Sequence, residues 1–199
     1  MHGSVYPKER KDEDLSKGEF ECKCPICNNS LSLRATTEDS VIHPSSIYGI
    51  TKQTQEQMVL VAGKALSIPS VAFRYQNVYG PGQSLKNPYT GILSIFSTQI
   101  RNGNNINVFE DGKESRDFVY IDDVVDATIL GLENGNADYQ SLNVGYGTPI
   151  DVKTIAAKLR ENFASDIEIN IGGNYRIGDI RHNYADISKI SNLLGFSPK

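Results

Sequence analysis

The chain has 199 residues, enough for one good core or for one domain with part of another. Apolar residues make up 39% and charged residues 22%, the balance of a folded globular chain rather than a disordered one. Twenty basic against 24 acidic residues leave a net charge of −4, which speaks against nucleic acid as the main partner but allows a local basic cleft for phosphates. No apolar run approaches the ~18 residues of a membrane span, so no membrane partner is expected. Met1 to Arg10 is polar and does not read as a signal peptide. All three cysteines fall between Cys22 and Cys27, unlike a secreted disulfide framework, and a cytoplasmic protein is expected.

In chain order, residues 8–19 are a dense mixed-charge stretch, expected as a solvated loop or short surface helix. The cysteine segment follows and ends near Arg34, and from Ala35 the pattern becomes that of an alternating α/β protein. Ser45 or Ser46 predicts the N-cap of a long helix over 47–66, interrupted by no proline. Residues 70–75 (SVAFRY) predict a strand, which the Asn77–Gly82 run (NVYGPG) ends with strong turn chemistry. Ile92, Leu93, Ile95, Phe96 and Ile100 predict a helix stopping near Gly103. Short strands over 106–109 and 116–120 flank a Glu110-Asp111-Gly112 turn, and Asp122 is expected to cap a helix to about Leu132. A strand over 141–144 precedes an amphipathic helix capped by Asp151, with Val152, Ile155, Ala156, Leu159 and Phe163 on one face. Residues 166–171 alternate as a strand, and Asp186 is expected to open a last helix ended by Gly195. Strands alternating with helices imply parallel βαβ units.

Tyr48 and Lys52 stand four apart at the start of the long helix, so their side chains share one face about a turn apart. A phenol ordinarily titrates near 10, too high for a base at neutral pH. A neighbouring ammonium and the positive helix N-terminus both stabilise the phenolate and lower that value. Such a pair can take a proton from a hydroxyl. The Y-x-x-x-K spacing also arises by chance as a solvated surface pair.

The surroundings narrow the choice. Residues 37–40 (TEDS) with 44–52 (PSSIYGITK) resemble the active-site helix of the extended short-chain dehydrogenases/reductases. About 20 residues on, 74–82 (RYQNVYGPG) is similar to the turn after that family's sixth strand. Residues 116–124 (RDFVYIDDV), 143–145 (NVG) and 178–182 (GDIRH) continue the resemblance in the family's order, over about Thr36 to Pro198. Within the family, the run over 82–92 (GQSLKNPYTGI) and the Cys-Pro-Ile-Cys insertion over 24–27 resemble nucleotide-sugar 4-epimerases of the dTDP-L-rhamnose 4-epimerase group.

The resemblance implies an α/β fold: a partial Rossmann-like, doubly wound parallel sheet lacking its first strands, with a smaller α+β substrate-binding domain. It divides the chain into a polar cysteine-containing insertion over 1–35, the remainder of an NAD-binding domain over 36–84, and a substrate domain over 85–199 from which about 118–146 returns to the core. It implies Tyr48 as general base and acid, with Lys52 binding the nicotinamide ribose and tuning Tyr48. Tyr75 and Val78 would line the nicotinamide. Asn77, Arg116 and Arg181 would hold the sugar diphosphate, arginine suiting phosphate through its planar fork of donors. Asn87 and Tyr89 would line the nucleotide pocket. The implied reaction is NAD-dependent epimerisation at C4 of a nucleotide-linked deoxysugar through a 4-keto intermediate. A 4,6-dehydratase or a non-catalytic sugar-nucleotide-binding remnant are the alternatives, and a homodimer is the family's usual assembly.

The sequence holds no glycine-rich turn opening a helix, the element that grips a pyrophosphate in such folds. The family's catalytic Ser/Thr is missing as well. The chain alone is therefore expected to bind NAD weakly or not at all, and to be inactive unless a separate N-terminal fragment completes it. Cys24-x-x-Cys27 has the spacing of half a zinc ribbon, and a tetrahedral ion needs two more ligands. The resemblance to the related epimerases, with an upstream Cys/His pair of which only the second member survives here, implies His2 as a candidate third ligand for a structural zinc, with Cys22 the other possibility and three reduced thiols on a loop the plain alternative.

Overall fold

The computed structural model describes residues 2–44, 46–85 and 91–199. Its elements run α1 (Asp12–Leu15), α2 (Ile47–Leu66), β1 (Ala72–Tyr75), β2 (Asn77–Tyr79), α3 (Ile92–Arg101) and β3 (Ile106–Val108). β4 (Ser115–Tyr120), α4 (Ile121–Glu133), β5 (Ser141–Val144), β6 (Pro149–Asp151), α5 (Val152–Asn162), β7 (Ile169–Ile171) and α6 (Ser188–Leu194) follow. The fold is mixed α/β with parallel strand pairs. It divides into two units, the first made of residues 1–34, 83–116 and 149–183, the second of 35–82, 117–148 and 184–199.

In the second unit α2 begins at Ser46, whose extended backbone turns its Oγ onto the Gly49 N–H at 3.1 Å. It ends at Ser67 in the left-handed region (φ 57°), with the Ile68 N–H returning to the Gly63 carbonyl at 2.8 Å. Gly63 is required there, because a Cβ would fall 2.0 Å from Ser70 Oγ. β1 pairs in parallel with β5, Ala72 opposite Ser141 and Tyr75 opposite Val144. β2 pairs in parallel with β4, Asn77 opposite Phe118 and Tyr79 opposite Tyr120. Val119, Val124, Ala127, Leu142, Val144, Ile190, Leu194 and Phe196 close the core of this unit. Burial of these side chains, at about 25 cal/mol per Å² of apolar surface, is its main stabilising term.

In the first unit β3 and β7 pair in parallel, and α3 and α5 contribute buried Phe96, Ile100, Val152, Ile155 and Ala156. Asp151 caps α5 by accepting the Thr154 N–H at 2.7 Å. The Glu110–Gly112 turn takes the expected glycine at φ 75°, where a Cβ would meet Lys153 Cβ and Val108 Cγ1 at 3.0 Å. The mixed-charge stretch forms the short α1 with Leu15, 1% exposed, as its buried anchor.

Three local expectations change. Asn77–Tyr79 is a strand before the turn begins, because its peptide groups pair with β4. Asp122 does not cap α4: β4 runs straight into the helix, Tyr120 is the N-cap, and Asp122 lies in the first turn, where a carboxylate suits the helix dipole. Asp186 precedes α6, accepting the Ser188 N–H at 2.9 Å, while Ile187 is the N-cap. Gly195 does end α6, at φ 71°.

Asp117, fully buried in the alternating β4, joins three segments of the second unit. Its Oδ1 accepts the Tyr146 N–H at 2.7 Å, and its Oδ2 accepts the Gly147 and Ala185 N–H groups at 3.1 Å each. Gly145 must lack a side chain beside it, since a Cβ would sit 2.4 Å from Oδ2. Asp117→Asn would turn an NH₂ towards at least one of these N–H groups. The expected loss is about 2–3 kcal/mol in urea unfolding with little change in slope. An unchanged midpoint would show that the three contacts do not hold the unit.

Candidate active site

The expected catalytic pair rides on α2, and α2 is fixed to the sheet by one carboxylate. Glu56 accepts Arg74 Nε and Nη2 at 2.7 Å each, a two-point fork from β1, and the Ser141 hydroxyl of β5 at 3.0 Å. Arg74 Nη1 continues to the Glu38 carbonyl at 2.9 Å, and the Glu38 side chain accepts the Asn143 N–H at 2.8 Å. One helix and two strands are thereby held in register with the segment before α2. The Arg74 guanidinium holds the Glu56 carboxyl below its ordinary value, against the opposing effect of burial.

Tyr48 lies on the first turn of α2 and is 71% exposed. The Lys52 ammonium stands over its ring, 5.5 Å from the centroid, and donates to Gln55 Oε1 at 3.2 Å. The two side chains share one solvent-facing surface, as their spacing requires. Asn77, half-buried on β2, donates its side-chain amide to the Asp117 carbonyl at 3.2 Å. The Tyr75 hydroxyl meets Thr128 Oγ1 at 2.9 Å while its ring stacks on Phe73 at 5.8 Å. Val78 packs against the core of the same unit. Asn87 and Tyr89 lie outside the described residues.

Arg116 and Arg181 belong to the first unit and differ sharply in what they leave free. Arg116 Nη1 donates to the Ser115 and Arg181 carbonyls at 2.9 and 3.1 Å, and Nη2 stands 3.6 Å from the exposed Asp179 carboxylate. This half-buried guanidinium keeps donors that an anion could use, and burial draws it below its ordinary value. Arg181 has a fully buried side chain whose donors are all engaged. Nε and Nη2 reach Glu21 at 3.1 and 2.6 Å, while Nη1 meets Glu110 at 2.8 Å and Asp111 at 2.7 Å. Nη2 also bonds Asp111 at 3.0 Å, and Arg10 adds a second cation to Glu110 at 2.7 Å. Burial alone would pull Arg181 down, but the carboxylates of Asp111 and Glu21 more than offset it and hold the guanidinium above its ordinary range. A phosphate expected at Arg181 would have to displace a carboxylate, so in this geometry the side chain is a structural cross-link.

The cysteine segment is a small hairpin in the first unit. The Cys24 N–H meets the Asn29 carbonyl at 2.8 Å, the Asn28 N–H the Cys24 carbonyl at 2.9 Å, and Lys23 bridges Ser30 in antiparallel fashion. Asn28 takes the left-handed conformation (φ 59°) that closes the turn. His2, Cys24 and Cys27 bring their ligand atoms within 4.8 Å of one another, whereas Cys22 stands outside the cluster.

Two structural residues escape sequence reasoning. Asp117 sits beside the singled-out Arg116 in the same motif, but nothing local marks it as the acceptor for N–H groups 29 to 68 positions away. Glu56 is one polar residue among several on α2, and only its pairing with Arg74, 18 positions on, gives it weight.

Residues 28–145 match the NAD dependent epimerase/dehydratase family. The chain belongs to that family. It is 33% identical, over 98% of its length and 52% of the relative's, to the dTDP-L-rhamnose 4-epimerase of Burkholderia thailandensis. Its fold superposes on the UDP-glucose 4-epimerase of Thermotoga maritima, crystallised with UDP-glucose, with a TM-score of 0.78 and 33% identity over 85% of this chain and 54% of that one. The UDP-glucuronic acid 4-epimerase of Bacillus cereus, in complex with UDP-glucuronic acid and NAD, gives 0.75 and 31% over 84% and 52%. The chain spans about half the length of the curated relatives it matches. Among the described residues no helix is long and apolar enough to cross a membrane.

Glu56→Gln should lower stability by about 1 kcal/mol at neutral pH, a modest figure because Glu56 and Arg74 are partly solvated. The folded carboxyl titrates below the ordinary 4.5, so its stabilisation is complete above that value and is lost as pH falls through the lower folded value. The variant should therefore show a smaller drop in melting temperature between pH 5 and about pH 3 than the parent. Parallel acid limbs would remove Glu56 from the account.

Proposed function

We propose that this chain carries the proton-handling pair and sugar-nucleotide contacts of a nucleotide-sugar 4-epimerase. The supporting observation is the Tyr48–Lys52 pair, open to solvent on a helix that Glu56 and Arg74 hold rigidly in place. The substrate class follows the relatives, and the dTDP-L-rhamnose type is the specific choice, supported by 33% identity to an enzyme of that name.

In this reading Tyr48 accepts the proton of the sugar C4 hydroxyl and returns one to that oxygen once the 4-keto sugar has rotated to present its opposite face for the returning hydride. The Lys52 ammonium, standing over the Tyr48 ring, is proposed to bind the nicotinamide ribose and to act with Tyr48 in that proton transfer. Bound NAD supplies the acceptor and donor of the C4 hydride. Tyr48 and Lys52 are exposed enough to meet its nicotinamide ribose, with Tyr75 and Val78 as the proposed contacts to the ring. The glycine-rich turn for its pyrophosphate is not in this sequence. Arg116 is the proposed diphosphate ligand of its unit, through the donors it leaves free, and Asn77 is the proposed diphosphate contact of the other unit. Arg181 shapes the segment behind Arg116 by offering its carbonyl. Asn87 and Tyr89 remain the proposed nucleotide contacts. Met58, Val59 and Val61 stand exposed on α2, consistent with a second copy or a complementing N-terminal segment against this helix. A cytoplasmic location goes with the reading, and a structural zinc joins it on separate grounds given below.

The test is calorimetric titration of the purified chain with dTDP-L-rhamnose, UDP-glucose and NAD. The expected result is binding of dTDP-L-rhamnose, weakened at least about tenfold by Arg116→Met, with weak NAD binding or none. Failure to bind either sugar nucleotide would overturn the reading, and ordinary NAD affinity would overturn its division of labour. In an assembly that turns over, Tyr48→Phe should reduce the rate by about 10²–10⁴, and Lys52→Met should reduce it by a comparable factor. An unchanged rate in Lys52→Met would free Lys52 from its proposed role.

A further inference from the structure

We infer that His2, Cys24 and Cys27 form a binding site for a zinc-type ion that ties the segment at residue 2 to the cysteine hairpin. This rests on the convergence of three side chains and on the shape of the hairpin, and is independent of the epimerase reading. The ligand atoms of all three lie within 4.8 Å of one another. Around a tetrahedral zinc with bonds of about 2.3 Å to sulfur, neighbouring ligand atoms are separated by about 3.8 Å, so rotamer adjustments of about 1 Å complete the set. Both thiols are free rather than joined in a disulfide, although only two residues separate them.

The hairpin supplies the second observation. The Ile26 and Cys27 N–H groups point at Cys24 Sγ. Peptide N–H groups aimed at a sulfur stabilise a thiolate, the form that binds a metal. The left-handed Asn28 and the Lys23–Ser30 bridge fold the four residues into a tight knuckle that sets both sulfurs on one side. Cys24 is buried, whereas Cys27 and His2 are exposed and can reach an ion from solvent. Cys22 takes no part, standing outside the cluster.

Two thiolates and one imidazole are a borderline-soft, nitrogen-and-sulfur donor set, which favours zinc over calcium or magnesium. Three ligands come from this chain, and the fourth corner is left to water or to a donor outside the described residues. Each thiol releases its proton on binding, so affinity rises with pH. The ion's role is structural. Glu21, next to the hairpin, holds Arg181 at 2.6 Å, so a closed metal knuckle steadies that end of the ion network.

Cobalt(II) titration of the reduced, purified chain tests the site directly. The expected result is thiolate-to-cobalt charge-transfer absorption with intense tetrahedral d–d bands, saturating at a single ion per chain and displaced by zinc. Cys24→Ser or Cys27→Ser should abolish the charge-transfer band or halve it, and His2→Ala should weaken binding, whereas Cys22→Ser should leave the spectrum unchanged. Circular dichroism of each variant separates loss of the site from loss of the fold. Absence of the bands in the parent chain would overturn the site, and equal loss in Cys22→Ser would overturn the ligand assignment. Because every readout is optical and needs no sugar nucleotide, it stands or falls apart from catalysis.

Discussion

The Asp117 carboxylate, buried among three peptide N–H groups, is the constraint on which the second unit depends. A buried carboxylate is costly unless its lone pairs are met, and here both oxygens only accept. Each donor belongs to a different stretch of backbone from β4, so the requirement to satisfy one side chain dictates where the Tyr146–Gly147 turn and Ala185 must lie. The neighbouring glycine follows from the same demand, since any side chain at Gly145 would enter the space the carboxylate fills. Asn77 closes the arrangement by reaching the Asp117 carbonyl, which places a proposed substrate contact one hydrogen bond from the structural centre of its unit.

Charge is used differently in the two units. Around Arg74 a single two-point ion pair fastens a helix to a sheet, leaving the first turn of that helix open to solvent. Around Arg181 three carboxylates and a second arginine form a network buried at its centre, where removing one member would strand an unpaired charge. Arg116 lies between these extremes, fixed by two carbonyls yet with donors to spare. The distinction is between arginines whose donors are consumed by the framework and one with donors to spare.

Local chemistry was the legible part of the sequence. Ser46 and Asp151 read as helix caps and act as such, and Gly195 ends α6 in the left-handed conformation that glycine tolerates best. The Tyr48–Lys52 face followed from helical spacing alone, and the parallel α/β layout from alternating elements. Asn77–Tyr79 read as a turn because Asn, Gly and Pro dominate the local signal, but a partner strand about 40 positions away claims its peptide groups. Asp122 looked like a cap until the strand before it ran directly into the helix. Arg116 and Arg181 carry the same side chain in adjoining motifs, and only their neighbours from distant segments tell them apart.

Thr36 pairs with residues 184–186: its N–H meets the Tyr184 carbonyl at 2.8 Å, and its carbonyl receives the Asp186 N–H at 2.9 Å. Ile190, Leu194 and Phe196, from the same late segment, complete the apolar core of that unit. A ribosome delivers residues in order, so β1, β2 and α2 emerge long before the segment that seals them. Closing so long a loop costs entropy that is recovered only when the late contacts form. The early elements therefore wait, with apolar side chains uncovered, until residues 184–196 have been made. During that interval a holding chaperone would find its natural substrate.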